Sequence, residues 1–181
     1  MAVNEAARPV VLVGLPGVGK TRAGSLLAQR INWTFADIDH EIERVSNRPV
    51  ASLVAEQGWT YFRDLEQEML ASFLARGRTV IAAGGGAVER TANRTVIMRF
   101  GYAIWLRADP QLLLQRLGSA GDERPLLAGD TGQRLEELAL VREPLYAEVA
   151  AARLDIGLMT PEDVVEKLLG IIGLEQTGVM Q

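Results

Sequence analysis

The sequence contains no cysteine and a single histidine, and both scarcities exclude kinds of chemistry. Without cysteine, disulfide bonds and thiol catalysis are impossible. The single histidine, His40, leaves no material for a histidine-rich metal site or a Ser-His-Asp triad.

Long hydrophobic runs and an excess of positive charge are absent as well. No apolar run reaches the roughly 18 residues that span a bilayer. Residues 1–9 include Glu5 and lack the apolar core of a signal peptide. The net charge of −4 argues against a general nucleic-acid binder, which needs a basic face. We therefore expect a cytoplasmic protein that binds neither membranes nor nucleic acids.

What is present is an alternation of short apolar segments with segments of helical spacing. The apolar segments predict strands at 10–13, 34–37, 79–83, 103–106 and 154–156. The other segments predict helices at 21–30, 39–46, 50–57, 61–76, 110–117, 135–152 and 161–172, and a polar loop at 118–132. Such alternation is typical of a parallel sheet with helices on both faces. We therefore predict a three-layer α/β/α fold with a five-stranded parallel sheet, in one domain over residues 1–181.

The segment from Gly14 to Thr21, Gly-Leu-Pro-Gly-Val-Gly-Lys-Thr, matches the P-loop pattern for binding phosphate. A predicted strand precedes it and a predicted helix follows, as the pattern requires. Its glycines let backbone N–H groups point at phosphate oxygens, Lys20 can reach the β- and γ-phosphates, and the Thr21 hydroxyl can ligate Mg²⁺. The alternative is a glycine-rich turn that binds nothing. We expect ATP and Mg²⁺, with ATP contacts from Gly17, Val18, Gly19, Lys20 and Thr21.

Asp37 and Asp39 lie at the predicted end of the second strand. Residues two apart on a strand point to one side, and ligands of open α/β sheets bind beyond the carboxyl ends of the strands. One acid could hold Mg²⁺ while the other accepts a proton from a substrate hydroxyl. Alternatively, one of them caps the next helix.

Three glycines, at 84–86, follow the third predicted strand. They allow either close approach of a ligand or a tight turn with positive φ. Arg63 is three residues before Glu66 and can pair with it. Arg63 or Arg142 could grip a substrate carboxylate, although each by itself is more typical of a solvated charge on a helix.

Two further arginines lie in or beside the polar loop at 118–132. Arg124 could close on the transferred phosphate and stabilise its charge, with residues 125–127 seating the loop on apolar surface. Arg116, before the loop, could stack against an adenine ring.

Taken together, these motifs resemble those of the shikimate kinases, which belong to the nucleoside-monophosphate-kinase group of P-loop folds. The resemblance runs from about Val10 to Ile172. It is carried, in order, by the segments 14–21, Asp-Ile-Asp at 37–39, Phe-Arg-x-x-Glu at 62–66, Gly-Gly-Gly-Ala at 84–87, Arg-Pro-Leu-Leu at 124–127 and Arg-x-x-Leu-Tyr at 142–146.

The resemblance implies that ATP phosphorylates the 3-hydroxyl of shikimate, in the pathway to chorismate and the aromatic amino acids. It also implies a substrate-binding segment at about 38–66 and a lid at about 117–132; for the oligomeric state, a monomer is the default. The implied roles are catalysis by Lys20, Asp39 and Arg124; substrate binding by Asp39, Arg63, Gly85, Gly86 and Arg142; Mg²⁺ binding by Thr21 and Asp37; and adenine contacts from Arg116 and Pro161.

The sequence departs from the family pattern at a few positions. Ala82 and Ala83 stand where the family commonly has a Ser or Thr, and Trp59 stands where it usually has Glu. The stretch between Arg116 and Arg124 is a residue longer by this reading, which weakens the adenine assignment of Arg116.

Other functions fit parts of the pattern. A gluconate kinase or similar sugar-acid kinase shares the P-loop and also needs arginine for a carboxylate. A nucleoside-monophosphate kinase would need a pattern for a second base, which we do not find. A regulatory GTPase would carry Asn-Lys-x-Asp and Asp-x-x-Gly, and neither string occurs. A catalytically inactive binding protein on this fold would be expected to have lost Lys20, Asp39 or Arg124.

Overall fold

The computed structural model describes residues 8–117 and 131–173. Within them lies a five-stranded sheet in the order β2-β3-β1-β4-β5, in which every neighbouring pair is parallel. The strands are β1 Val10–Val13, β2 Thr34–Asp37, β3 Thr79–Ala82, β4 Tyr102–Arg107 and β5 Ala152–Asp155.

The described residues also form seven α-helices and a short 3₁₀ turn. The helices are α1 Lys20–Ile31, α2 Ile38–Ser46, α3 Val50–Leu74, α4 Thr91–Phe100, α5 Pro110–Leu117, α6 Thr131–Val149 and α7 Pro161–Ile171, and the 3₁₀ turn is Ala87–Glu89. They cover both faces of the sheet, so β1 and β3 are buried along their whole length. Burial on both faces explains why these strands read as continuous apolar runs. The predicted three-layer fold is confirmed.

The predicted break at Gly58 is confirmed: Gly58 has the non-helical angles φ 83° and ψ 168°, and two helical segments meet there in a kink within α3. Other predicted boundaries needed correction. Helix α6 starts at Thr131, so residues 131 and 132 are helical rather than loop. The fifth strand begins at Ala152, which pairs with Ile104 of β4.

The 3₁₀ turn and α4 were not predicted. Helix α4 buries only Asn93 and Ile97, so it carries no apolar stripe of helical period.

The strand order places the motifs at one edge of the sheet. β3 lies between β2 and β1, and Ala82 of β3 is in register with both Asp37 and Leu12. The P-loop, Asp37 and the three glycines therefore leave the carboxyl ends of adjacent strands, where ligands bind in open α/β sheets.

No helix within residues 8–117 or 131–173 combines the length and the apolar character that crossing a membrane requires.

Candidate active site

A cavity of about 510 Å³ opens at this edge of the sheet. Of the predicted site residues it is lined by Gly17, Lys20, Thr21, Asp37, Asp39, Arg63, Gly85 and Gly86. Pro16, His40, Glu43, Trp59, Phe62, Glu66 and Gly84 are among the other lining residues. One cavity thus joins the P-loop to both acids and to one of the two arginines predicted for a carboxylate.

The P-loop has the backbone that its glycines predict. Gly14, Gly17 and Gly19 have φ of 147°, 81° and 94°, which favour glycine. Nζ of Lys20 donates hydrogen bonds to the carbonyls of Gly14 and Leu15 at 2.7 and 3.0 Å, so the ammonium lies over the loop. The loop therefore combines the N-terminus of helix α1 with a lysine, which is a setting for phosphate.

The side chain of Val18 is buried in the core, so Val18 does not present it to the cavity. Gly19 is the N-cap of α1.

Thr21 and Asp37 meet at the cavity wall. The Thr21 hydroxyl donates to Oδ2 of Asp37 at 2.5 Å, and Oδ1 of Asp37 accepts from the backbone N–H of His40 at 3.3 Å. Asp37 therefore caps α2 and contacts Thr21 at once. No group of three or more His, Cys, Asp or Glu suited to a metal occurs in the described part of the chain. The Thr21 and Asp37 oxygens fit Mg²⁺ if phosphates and water supply the other ligands, as Mg²⁺ usually requires.

Asp39 lies in the first turn of α2, not on a strand. The strand-spacing argument for this residue was therefore wrong, because Asp37 already starts the helix; yet both acids line the same cavity. A Cβ on Gly84 would lie 2.8 Å from Oδ1 of Asp39 and 2.4 Å from Oε1 of Glu66. Gly84 thus lets the two carboxylates approach the end of β3.

The other two glycines serve the same purpose for other groups. A Cβ on Gly86 would lie 2.0 Å from Nη2 of Arg63. A Cβ on Gly85 would lie 3.3 Å from Nη1 of Arg142, while the hydroxyl of Tyr146 donates to the carbonyl of Gly85 at 2.5 Å. None of the three has a positive φ. Close approach, rather than a turn that only glycine can adopt, explains the triple glycine.

Arg63 and Glu66 form the predicted pair. Nη1 of Arg63 lies 2.7 Å from Oε2 of Glu66, and its guanidinium lies 5.4 Å from the ring centroids of both Trp59 and Phe62. Glu66 is fully buried. Burial raises the pKa of Glu66 to about 7; the Arg63 guanidinium opposes this rise and the Asp39 carboxylate adds to it. Trp59 is thus a packing partner of Arg63.

Arg142 is 1% exposed and Arg63 is 9% exposed, so the reading of each as a solvated helix charge was wrong. Nε and Nη2 of Arg142 lie 2.8 and 2.7 Å from Oε1 of Glu89. Nη1 of Arg142 finds no hydrogen-bond partner within the described residues. Arg142 lines a second cavity, of about 400 Å³, which adjoins the first through Trp59 and Arg63. Arg142 does not itself line the first cavity, but its Nη1 lies beside Gly85, which does.

Sequence reasoning missed Glu89, which contacts both arginines. Nη2 of Arg63 lies 3.5 Å from its Oε2. The sequence offered only an indirect signal. Two arginines that bind one carboxylate need acidic partners to balance their charge, and the Phe-Arg-x-x-Glu motif supplied a single acid, Glu66.

The remaining predicted residues lie elsewhere. Nη2 of Arg116 donates to the carbonyl of Gly157 at 2.7 Å. The loop that contains Gly157 leads to Pro161, the first residue of α7. The N-cap of α7 is Thr160, whose hydroxyl accepts a hydrogen bond from the N–H of Asp163 at 3.1 Å. Neither Arg116 nor Pro161 lines the first cavity. Arg124 and the rest of segment 118–130 lie outside the described residues.

Comparisons with known proteins identify the family of this chain. The sequence model of the family described as shikimate kinase matches residues 16–172. The chain is 43% identical over 162 residues to a shikimate kinase of Symbiobacterium thermophilum, covering 88% of this chain and 93% of the relative.

The solved structures similar to this chain fall into two groups that differ in sequence identity. A shikimate kinase from Acinetobacter baumannii in complex with shikimate has a TM-score of 0.90 and 32% identity, over 96% of this chain and 97% of that one. A gluconokinase from Sinorhizobium meliloti has a TM-score of 0.61 and 14% identity, over 93% of each chain, which is a likeness of fold alone. By sequence and by structure, this chain belongs to the shikimate kinase family.

Proposed function

We propose that this protein transfers the γ-phosphoryl group of ATP to the 3-hydroxyl of shikimate, giving shikimate 3-phosphate and ADP in aromatic amino-acid biosynthesis. The observation that carries the proposal is the first cavity, in which a P-loop lysine, the Asp39 carboxylate and a buried arginine face one space. A hydroxylated carboxylic acid suits such a space, because it needs a base at one end and a cation at the other.

At the phosphate end, Lys20 exchanges its two loop carbonyls for the β- and γ-phosphate oxygens of ATP. Backbone groups of Gly17, Val18 and Gly19 bind the remaining phosphate oxygens. Thr21 and Asp37 hold Mg²⁺, directly or through water; when bound, the ion neutralises phosphate charge.

At the acceptor, Asp39 orients the hydroxyl and takes its proton. The hydroxyl oxygen forms a bond to the γ-phosphorus, the bond from that phosphorus to the β–γ bridging oxygen breaks, and ADP leaves with the bridging oxygen. A carboxylate in hydrogen-bond reach of the hydroxyl is a suitable base, and the approach of Asp39 to Gly84 places it at the end of β3.

At the other end, Arg63 and Arg142 bind the substrate carboxylate, with backbone contacts from Gly85 and Gly86. Support comes from Nη1 of Arg142, a buried donor beside Gly85 without a partner in the residues described. Leaving a buried donor unpaired is unfavourable, and a carboxylate oxygen would pair it.

Further parts of the proposal come from the sequence alone. They are the lid at about 117–132 with its Arg124, the substrate-binding segment at about 38–66, adenine contacts from Arg116 and Pro161, a monomeric state and a cytoplasmic location. Size-exclusion chromatography with light scattering tests the monomer.

A coupled ADP-release assay with shikimate, quinate, gluconate and AMP as parallel acceptors tests the activity. We expect turnover with shikimate to exceed that with the other three. Preferential turnover of gluconate would contradict the proposal and favour the sugar-acid kinase alternative.

A further inference from the structure

Glu89 lies between the two arginines that we assign to the substrate carboxylate. Its Oε1 accepts a hydrogen bond from Nε of Arg142 at 2.8 Å and lies 2.7 Å from Nη2 of the same guanidinium, and its Oε2 lies 3.5 Å from Nη2 of Arg63. One carboxylate therefore bridges two largely buried guanidinium groups, which would otherwise repel each other.

The bridge uses only one edge of the Arg142 guanidinium. The other nitrogen, Nη1, has no hydrogen-bond partner among the described residues and lies 3.3 Å from where a Cβ on Gly85 would be. Arg63 is fixed similarly, since its Nη1 donates to Glu66 at 2.7 Å. The acids thus hold both arginines while one buried donor stays available beside Gly85.

The backbone under Glu89 is itself fixed by α4. Nδ2 of Asn93 donates to the carbonyl of Ala87 at 2.8 Å, and Nη1 of Arg94 donates to the carbonyls of Val88 and Glu89 at 2.9 and 3.1 Å. Asn93 is fully buried. Glu89 therefore presents its carboxylate from a turn whose three carbonyls are all held by side chains.

We propose that Glu89 is a positioning residue for carboxylate recognition, holding Arg63 and Arg142 in the arrangement in which both contact one substrate carboxylate. The proposal rests on the proposed function, because it requires an acidic substrate. The opposite role, in which Glu89 competes with the substrate for the arginines, would need it to occupy the edge that the substrate uses. Glu89 occupies the other edge of Arg142 and leaves Nη1 open.

Glu89→Ala and Glu89→Gln test the inference, with kcat and both KM values measured in the ADP-release assay. Glu89→Ala should raise the KM for shikimate about 10-fold or more, as expected when a charge-assisted hydrogen-bonded pair is lost. Glu89→Gln should raise it less, because the amide oxygen can still accept the hydrogen bond from Nε of Arg142. The KM for ATP and kcat should stay unchanged in both, which a general loss of structure would not allow.

Glu148→Gln is the matched control. Glu148 lies on α6, as Arg142 does, and accepts a hydrogen bond from Nε of Arg94 at 2.9 Å without touching either site arginine. The amide oxygen of glutamine can accept the same bond, so Arg94 keeps its hydrogen bonds to the turn carbonyls while an ion pair between α6 and α4 is lost. Its replacement should leave the KM for shikimate unchanged.

Shikimate carboxamide, which keeps the ring and hydroxyls but lacks the charge, adds a second readout. The preference in kcat/KM for shikimate over the carboxamide should fall in Glu89→Ala and persist in Glu148→Gln.

An unchanged or lowered KM for shikimate in Glu89→Ala, with the unmodified protein active on shikimate, would overturn the inference alone. If Glu89→Ala fails to fold, the KM for shikimate of Glu89→Gln decides: a rise supports the inference, and an unchanged or lowered value overturns it. Failure of the unmodified protein to phosphorylate shikimate would overturn the proposed function and this inference with it.

Discussion

The two ends of the active-site cavity are built differently. At the phosphate end, Thr21 is exposed and Lys20 half-buried, and the partners of Lys20 include carbonyls of its own loop. At the carboxylate end, Arg63, Glu66 and Arg142 are buried. Surface polar groups can exchange partners cheaply, whereas buried ions depend on the partners they have. Changes at the phosphate end should therefore affect turnover or nucleotide binding with little effect on stability, whereas changes at the carboxylate end should affect both stability and shikimate binding.

Asp39→Asn should have the largest effect and sharpens the comparison from the catalytic side. Loss of general-base action should reduce kcat by about two orders of magnitude or more. The half-buried position of Asp39 predicts little change in the thermal unfolding midpoint. Steady-state kinetics and a circular-dichroism melt measure the two quantities.

The control for Asp39 is Asp155→Asn. Asp155 ends strand β5 but does not line the first cavity, so kcat should be retained. Near-normal turnover in Asp39→Asn would contradict its assignment as the base.

Glu66→Gln tests the carboxylate end through stability. Because burial raises the pKa of Glu66 from 4.5 to about 7, the folded protein keeps a proton over this interval that the unfolded chain has released. The free energy of unfolding therefore falls as pH rises from about 4.5 to about 7 and levels off above it, and a shift of this size corresponds to about 3 kcal/mol.

Urea unfolding of both proteins from about pH 4.5 to about pH 8 measures this fall. The difference between the unmodified protein and Glu66→Gln isolates the contribution of Glu66, since the other titrating groups are common to both. Parallel pH profiles would show that Glu66 does not titrate in this interval and would remove the proposed contrast in stability.

The two ends also differ in how far the sequence reveals them. The P-loop, Thr21 and Asp37 could be predicted because one short contiguous pattern and its neighbouring strand contain the signal. The Arg63–Glu66 pair followed from helical spacing. Glu89 could not be predicted, because its position depends on a 3₁₀ turn and on α4, whose only buried residues are Asn93 and Ile97. The burial of Arg142 likewise depends on how α6 packs, which no local pattern specifies.

Gly86→Ala tests whether the carboxylate end depends on close approach. Gly86 has φ −96° and ψ 2°, so alanine introduces no left-handed strain. Its Cβ would lie 2.0 Å from Nη2 of Arg63 and must displace it. We expect the KM for shikimate to rise about 10-fold or more, as for a lost charged hydrogen bond, with the KM for ATP unchanged.

Gly85→Ala is the matched comparison for Gly86→Ala. Its Cβ would lie 3.2 Å from Cδ of Pro16 and 3.3 Å from Nη1 of Arg142, so a small adjustment suffices. The rise in the KM for shikimate should therefore be smaller. Because the new Cβ would also contact Pro16 of the P-loop, the KM for ATP should rise as well. Equal effects of the two substitutions on shikimate KM would contradict the close-approach explanation.

Arg116→Ala should have the smallest effect and sharpens the comparison from the nucleotide side. Arg116 is exposed and donates to the carbonyl of Gly157 at 2.7 Å, which orients its guanidinium at the loop before Pro161. Stacking of an exposed arginine on an aromatic ring contributes about 0.5–1 kcal/mol, so the KM for ATP should rise roughly 2- to 5-fold. Arg30→Ala, which removes an exposed arginine paired with Glu166, should leave it unchanged. A rise in the KM for shikimate but not for ATP would place Arg116 at the wrong end of the cavity and refute its adenine role.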